Sequence, residues 1–113
     1  MSLVALAGKI LGNNVVTNHV CTTQTKCLSP CLNVLVGGIP VHHVTGVTIA
    51  HTWFTSDGDC EPALHTGVLS PNTSTVFVYP AGAPVQIARA GDAYSVCTGV
   101  IAPSTRNLTV FAY

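Results

Sequence analysis

The feature that most limits what this chain can become is a phrase it writes twice. Residues 65–73 read HTGVLSPNT, and 32 residues later 97–105 read CTGVIAPST. Three short apolar runs keep the same rhythm: LNVLV at 32–36, STVFV at 74–78 and LTVFA at 108–112. The first two lead into Gly-x-Pro-Val corners, GIPV at 38–41 and GAPV at 82–85, and then into HHVTG at 42–46 and QIARAGD at 86–92. Val-, Thr- and Phe-rich runs set off by Gly, Pro, Asn and Ser are strand and turn signals. A unit of two or three such strands cannot bury a face alone, so three units must close on one another. The expectation is an all-β chain forming a pseudo-three-fold object from three short-strand repeats.

The first dozen residues stand outside this rhythm. LVALAGKIL admits one or two helical turns or a loose arm, so residues 1–16 are assigned to an N-terminal arm or extension and 17–113 to the repeat domain. TTQTKCLSPCL (22–32) and WFTSDGDCEP (53–62) are turn-rich and read as surface loops. At 113 residues the chain fits one domain with a modest core.

Charge excludes some partners. Only 7% of the residues are charged, four basic against four acidic, which supplies no basic stripe for phosphates and argues against nucleic acid. With 48% apolar residues, part of the surface is expected to be covered by a partner. No apolar run reaches the length of a membrane helix, and the start lacks the basic region of a cleaved signal. Synthesis in a reducing cytoplasm is the expectation. The five cysteines are an odd number, and in a reducing compartment Cys together with His points to metal or burial rather than to a disulfide framework.

The two copies of the repeated phrase differ in their first letter, His65 against Cys97, and both residue types bind zinc. Equivalent positions in units related by an axis converge near that axis. His51 follows Gly46 by five residues, as Cys97 follows Asp92 by five, so His51 joins the set. The first unit offers His19 or Cys21, with His19 preferred, and Cys60 is the substitute should one ligand fail. Three His and one Cys close a tetrahedral structural zinc site; iron is the less favoured metal. His42 and His43 are adjacent, point to opposite faces of a strand and are not assigned as ligands. Cys27 and Cys31 are read as solvent-facing or half-buried thiols.

The stretch NVLVGGIPVHHVTGVTIAH, the STVFV…APVQIARAGD unit and the terminal CTGVIAPSTRNLTVFAY together resemble the PAAR-repeat proteins, over residues 17–113. The resemblance implies a sharp β-cone with zinc near its apex, held by His51, His65, Cys97 and a His of the first unit. It implies a seat on the blunt end of a trimeric β-helical spike of a contractile phage tail or type VI secretion machine, one copy per trimer. The cap would help pierce a cell envelope without stably binding the membrane, at the tip of a virion tail or injection apparatus. No further domain is expected after Tyr113. A sequence without H-E-x-x-H, G-x-S-x-G or a phosphate-cradling loop gives no reason to expect an enzyme. The alternative is a small zinc-stapled adaptor outside any injection device.

Overall fold

The strands are short because Gly, Pro and Asn interrupt every apolar run. The computed structural model describes residues 1–17, 24–52, 64–95 and 99–113. In chain order these form β1 (Ser2–Leu3), β2 (Asn14–Val16), β3 (Gln24–Lys26), β4 (Pro30–Val36), β5 (Ile39–His42), β6 (His51–Thr52), β7 (Leu64–His65), β8 (Phe77–Val78), β9 (Val85–Gln86), β10 (Val100–Ile101) and β11 (Phe111–Ala112). The described residues are all-β and contain no helix, including the first dozen. Every named pairing is antiparallel.

Three extended segments, 3–7, 40–44 and 86–90, cross in the middle of the molecule and pass hydrogen bonds around a circuit. Ala5 N–H donates to the Ala88 carbonyl at 2.9 Å, Ala88 N–H to His42 at 3.0 Å, and His42 N–H back to Ala5 at 2.9 Å. A second set of bonds runs the opposite way round, from donors two residues further along each segment to acceptors two residues earlier: Ala7 N–H donates to Pro40, Val44 to Gln86 and Ala90 to Leu3, each at 2.9 Å. The bridges Leu6↔Val41, His43↔Ile87 and Val4↔Arg89 fall between these levels. Each segment is therefore paired on both sides, which leaves its backbone groups satisfied without water.

This placement explains the N-terminal segment. Val4, Ala5, Leu6 and Ala7 are each at most 3% exposed, so residues 1–16 supply β1, β2 and one third of the central crossing. An apolar run with no alternation is the pattern of a strand buried on both faces, and it competes with the helical reading of the same letters.

On one side of the crossing, six short segments close into a ring. The β2–β3 hairpin is joined to 47–49 by the bridge Cys27↔Thr48 and the bond Ile49 N–H to Lys26 O. Residues 47–49 pair with 66–69, which bridge to 93–95 through Leu69↔Tyr94. Residues 93–95 pair with 99–101, and β10 returns to β2 with Ile101 opposite Val15. A closed ring has no edge strand to protect. Its interior holds Val15, Cys27, Leu69, Tyr94 and Ile101, all at most 3% exposed, in one core cluster with Ala5, Ala7, Val44 and Ala88.

The second core lies on the other side of the crossing, under three two-stranded pairs, β4–β5, β8–β9 and β11–β1. Val4, Leu6, Cys31, Val41, Val78, Ile87 and Ala112 form it. The third pair is built from the two ends of the chain, with Ser2 opposite Ala112 and Leu3 opposite Phe111.

Three expectations change here. The segment 22–32 is not a surface loop where it is described: Gln24–Lys26 is a ring strand and β4 begins at Pro30. Cys27 and Cys31, expected to face solvent at least in part, are both fully buried, one in each core, because both face inward from strands. The Gly-x-Pro-Val corners are not counterparts. Pro40 and Gln86 are the equivalent acceptors, from Ala7 and Val44, since β4 and β5 are joined by Gly37–Gly38 whereas β8 and β9 are joined by the longer stretch 79–84.

Candidate metal centre

Residues 14–16, 47–49 and 93–95 run parallel to one another around the ring, so all three point toward the same end of it. In sequence they are followed by 17–23, 50–65 and 96–98. Every expected ligand falls in sequence on one of these: His19 and Cys21 on the first, His51, Cys60 and His65 on the second, Cys97 on the third. His19, Cys21, Cys60 and Cys97 lie outside the described residues, and for His65 the backbone alone is described.

The second hairpin places two of the expected ligands together in register. β6 pairs with β7 so that His51 stands directly opposite His65, and directly opposed residues in an antiparallel ladder carry their Cβ atoms about 4.5–5.5 Å apart. His51 is 6% exposed. Its Nδ1 lies 2.7 Å from the Ile49 carbonyl and 3.5 Å from Thr48 Oγ1. A carbonyl only accepts, so Nδ1 carries the proton and Nε2 holds the lone pair. Metal-binding imidazoles have this arrangement, with the second nitrogen oriented by a backbone carbonyl. Thr48, fully buried, is fixed by Gly67 N–H donating to its Oγ1 at 2.9 Å. The donor chemistry at His51 thus fits a borderline cation such as zinc. Among the described residues no three of His, Cys, Asp and Glu come together at a metal-holding distance.

The buried histidine that the spacing argument set aside lies deeper in the ring. His42 is fully buried at the crossing, where the other two segments have Ala5 and Ala88. Its Nδ1–H donates to the Ser29 carbonyl at 2.8 Å, so its Nε2 accepts, and the hydroxyl of Tyr94 donates to it at 2.7 Å. Tyr94 has one proton, which leaves the Cys27 thiol to close the 3.3 Å contact with the phenol oxygen. The chain Cys27, Tyr94, His42, Ser29 therefore has one direction and links the first and third hairpins to the 40–44 segment through the core. Burial, partly offset by the Ser29 carbonyl, holds the His42 imidazole down at about 4. Burial likewise pushes the Cys27 thiol up to about 12, so both groups stay neutral and unreactive.

Room for the His42 ring comes from Gly46. A Cβ there would lie 2.5 Å from His42 Cε1. At the corresponding places in the other two segments, Asn13 accepts Leu6 N–H at 3.0 Å and Asp92 accepts Arg89 N–H at 2.8 Å through their side chains. The sequence signal for His42 was an imidazole within a run of apolar strand residues, visible only once 40–44 is aligned with 3–7 and 86–90.

Comparison with protein-family models, with curated proteins and with solved structures returns no match. The functional reading therefore rests on the geometry above and on the residues themselves.

Proposed function

We propose that this chain is a metal-stapled cap: a pseudo-three-fold β-cone of the PAAR-like kind that closes and sharpens the end of a trimeric β-helical spike in a contractile tail or injection machine. The observation that carries the reading is the circuit of hydrogen bonds Ala5 to Ala88 to His42 to Ala5, flanked by a second set, Ala7 to Pro40, Val44 to Gln86 and Ala90 to Leu3, in which the three segments again take equivalent parts. Three segments related in this way give a chain one approximate three-fold axis, the symmetry of a trimeric seat. The cap's apex is the end toward which residues 14–16, 47–49 and 93–95 all point. There one zinc, held by His51, His65, Cys97 and His19, ties the connections together; iron is the weaker candidate.

The seat is the opposite end. Leu35, Phe77 and Phe111 occupy the same place in β4, β8 and β11, opposite Pro40, Gln86 and Leu3, and each is exposed by about half: 56%, 52% and 47%. Three matching apolar side chains on three matching strands suit a partner with three identical chains, bound one cap per trimer. The role is mechanical rather than catalytic. A structural zinc contributes roughly 10–16 kcal/mol, which exceeds the usual total stability of about 5–15 kcal/mol, so the metal would govern whether the apex is stiff.

Elemental analysis of the purified protein tests this, repeated on His51→Ala, His65→Ala and Cys97→Ala. One equivalent of zinc in the parent, lost in each variant together with a large fall in the unfolding midpoint, is the expected result. A metal-free parent that unfolds cooperatively at the same temperature as the three variants would sink the reading.

A further inference from the structure

One of the three crossings carries four residues that the others lack. Thr45 is followed at once by Gly46 and Gly91 by Asp92, whereas Gly8 is followed by residues 9–12 before Asn13 resumes the pattern. The resumption is unambiguous: Asn13 N–H donates to Leu6 O at 2.9 Å, as Gly46 does to His43 at 3.0 Å and Asp92 to Arg89 at 3.1 Å. The added loop is held firmly. Gly12 N–H donates back to Gly8 O at 3.2 Å, and Lys26 Nζ donates to Ile10 O at 3.2 Å and Gly12 O at 3.1 Å. A Cβ on Gly12 would lie 2.5 Å from Gly8 O and 2.7 Å from Cys27 O, so the backbones meet there as closely as glycine permits.

This braced loop holds Ile10 82% exposed and Leu11 38% exposed. An apolar cleft of about 310 Å³ opens on one side of it, completed by Ala7, Gly38, Ile39 and Pro40. A polar cleft of about 170 Å³ opens on the other, with Lys26 and Arg106 in its wall. Charge is segregated around the same loop. Among the described residues the one side-chain carboxylate is Asp92, which lies 3.6 Å from Arg89. The other three cations, Lys9, Lys26 and Arg106, all line these two clefts, and neither lining contains a carboxylate.

We propose that this flank docks an extended segment of a partner protein in which apolar side chains stand next to acidic ones. The apolar side chains cover Ile10 and Leu11 and fill the larger cleft; the carboxylates meet Lys9 and Arg106 and the remaining N–H of Lys26, as charge-assisted hydrogen bonds. A loop already fixed in its bound shape loses little entropy on association, which gives the bracing by Lys26 a purpose. Because only one crossing has the loop, the site takes one copy of its ligand, whatever the symmetry of the rest of the surface. Single-stranded nucleic acid is disfavoured because neither cleft has an aromatic side chain for bases to stack on.

Titration of the full-length protein with short synthetic peptides tests the site, read by calorimetry and by backbone amide shifts. The probes are an alternating Leu-Asp peptide, the same peptide with Lys for Asp, the same with Ser for Leu, and a short single-stranded DNA. Saturable binding of the Leu-Asp peptide is expected, with shifts at 8–14, 38–40 and 103–106. Ile10→Ser, and separately Lys9→Glu with Arg106→Glu, should each weaken it about tenfold without moving the unfolding midpoint, since these side chains are exposed. Failure of the Leu-Asp peptide to saturate, equal binding of the Leu-Lys peptide, tighter binding of the DNA, or shifts centred on Leu35, Phe77 and Phe111 would each overturn the proposal.

Discussion

Acid should loosen this protein through one imidazole. His42 sits at about 4 in the folded chain against an ordinary value of 6.5, chiefly because burial disfavours its charged form. A folded value below the unfolded one means the unfolded chain takes up the proton first. The His42 contribution is therefore complete above about pH 6.5, declines as pH falls toward 4, and is constant below that. At about 1.4 kcal/mol per pH unit, the gap amounts to roughly 3 kcal/mol, spread over the interval between the two values. A protonated ring would also lose the Nε2 lone pair that accepts from Tyr94, which is the structural reason for the cost. Urea denaturation of the parent and of His42→Ala, at half-unit steps from pH 7 to 4.5, isolates the effect because other titrating groups contribute to both. The variant, with the alanine that the other two segments have, should start less stable by about 2–4 kcal/mol for the lost packing and hydrogen bonds. It should then converge on the parent as pH falls. Parallel stability curves for the two proteins across this range would refute the assignment of His42 as a buried neutral link.

Three further outcomes follow from contacts already described. Gly12→Ala places a methyl against the backbones of Gly8 and Cys27, neither of which is a side chain able to swing away, and should cost at least about 2 kcal/mol in denaturant unfolding. Thr45 adopts φ 70° at the place where the other segments have Gly8 and Gly91, both also at positive φ; Thr45→Gly should raise stability by about 1 kcal/mol by removing strain of about 1–3 kcal/mol at some entropic cost, visible as an increase in Tm. Cys27 and Cys31, fully buried, should resist a thiol reagent in the folded protein and react once denaturant is added, as peptide mapping of the labelled cysteines would show.

The all-β character was legible in the Val-, Thr- and Phe-rich runs, and so was the register of the outer strands: Val36, Val78 and Ala112 do occupy one place in three pairs. The five-residue spacing was counted from equivalent residues, because Gly46 and Asp92 close the same turn at the crossing; Cys97, at the far end of the second count, lies outside the described residues. The Gly-x-Pro-Val corners misled, since a turn can lengthen without disturbing the strands it joins. The N-terminal third was hidden for a related reason: residues 9–12 interrupt its version of the turn, and Val4 to Ala7 show no alternation because they are covered on both faces. His42 was hidden because sequence gives the polarity of a side chain but not the hydrogen-bond partners, Ser29 and Tyr94, that make its burial tolerable. Of the expected metal ligands, pairing within β6 and β7 sets His51 opposite His65, an alignment that neither the spacing nor the repeated phrase had specified.

The pairing of Ser2–Leu3 with Phe111–Ala112 has a consequence for biogenesis. Val4 to Ala7 are synthesised long before Phe111–Ala112, the strand that shelters their flank. Until Phe111–Ala112 has been made this apolar stretch lacks its permanent neighbour, so it depends either on a holdase or on fast closure once that strand emerges. Contacts between residues so far apart in sequence also favour slow folding, and Val4 to Ala7 is a segment where aggregation during synthesis should begin.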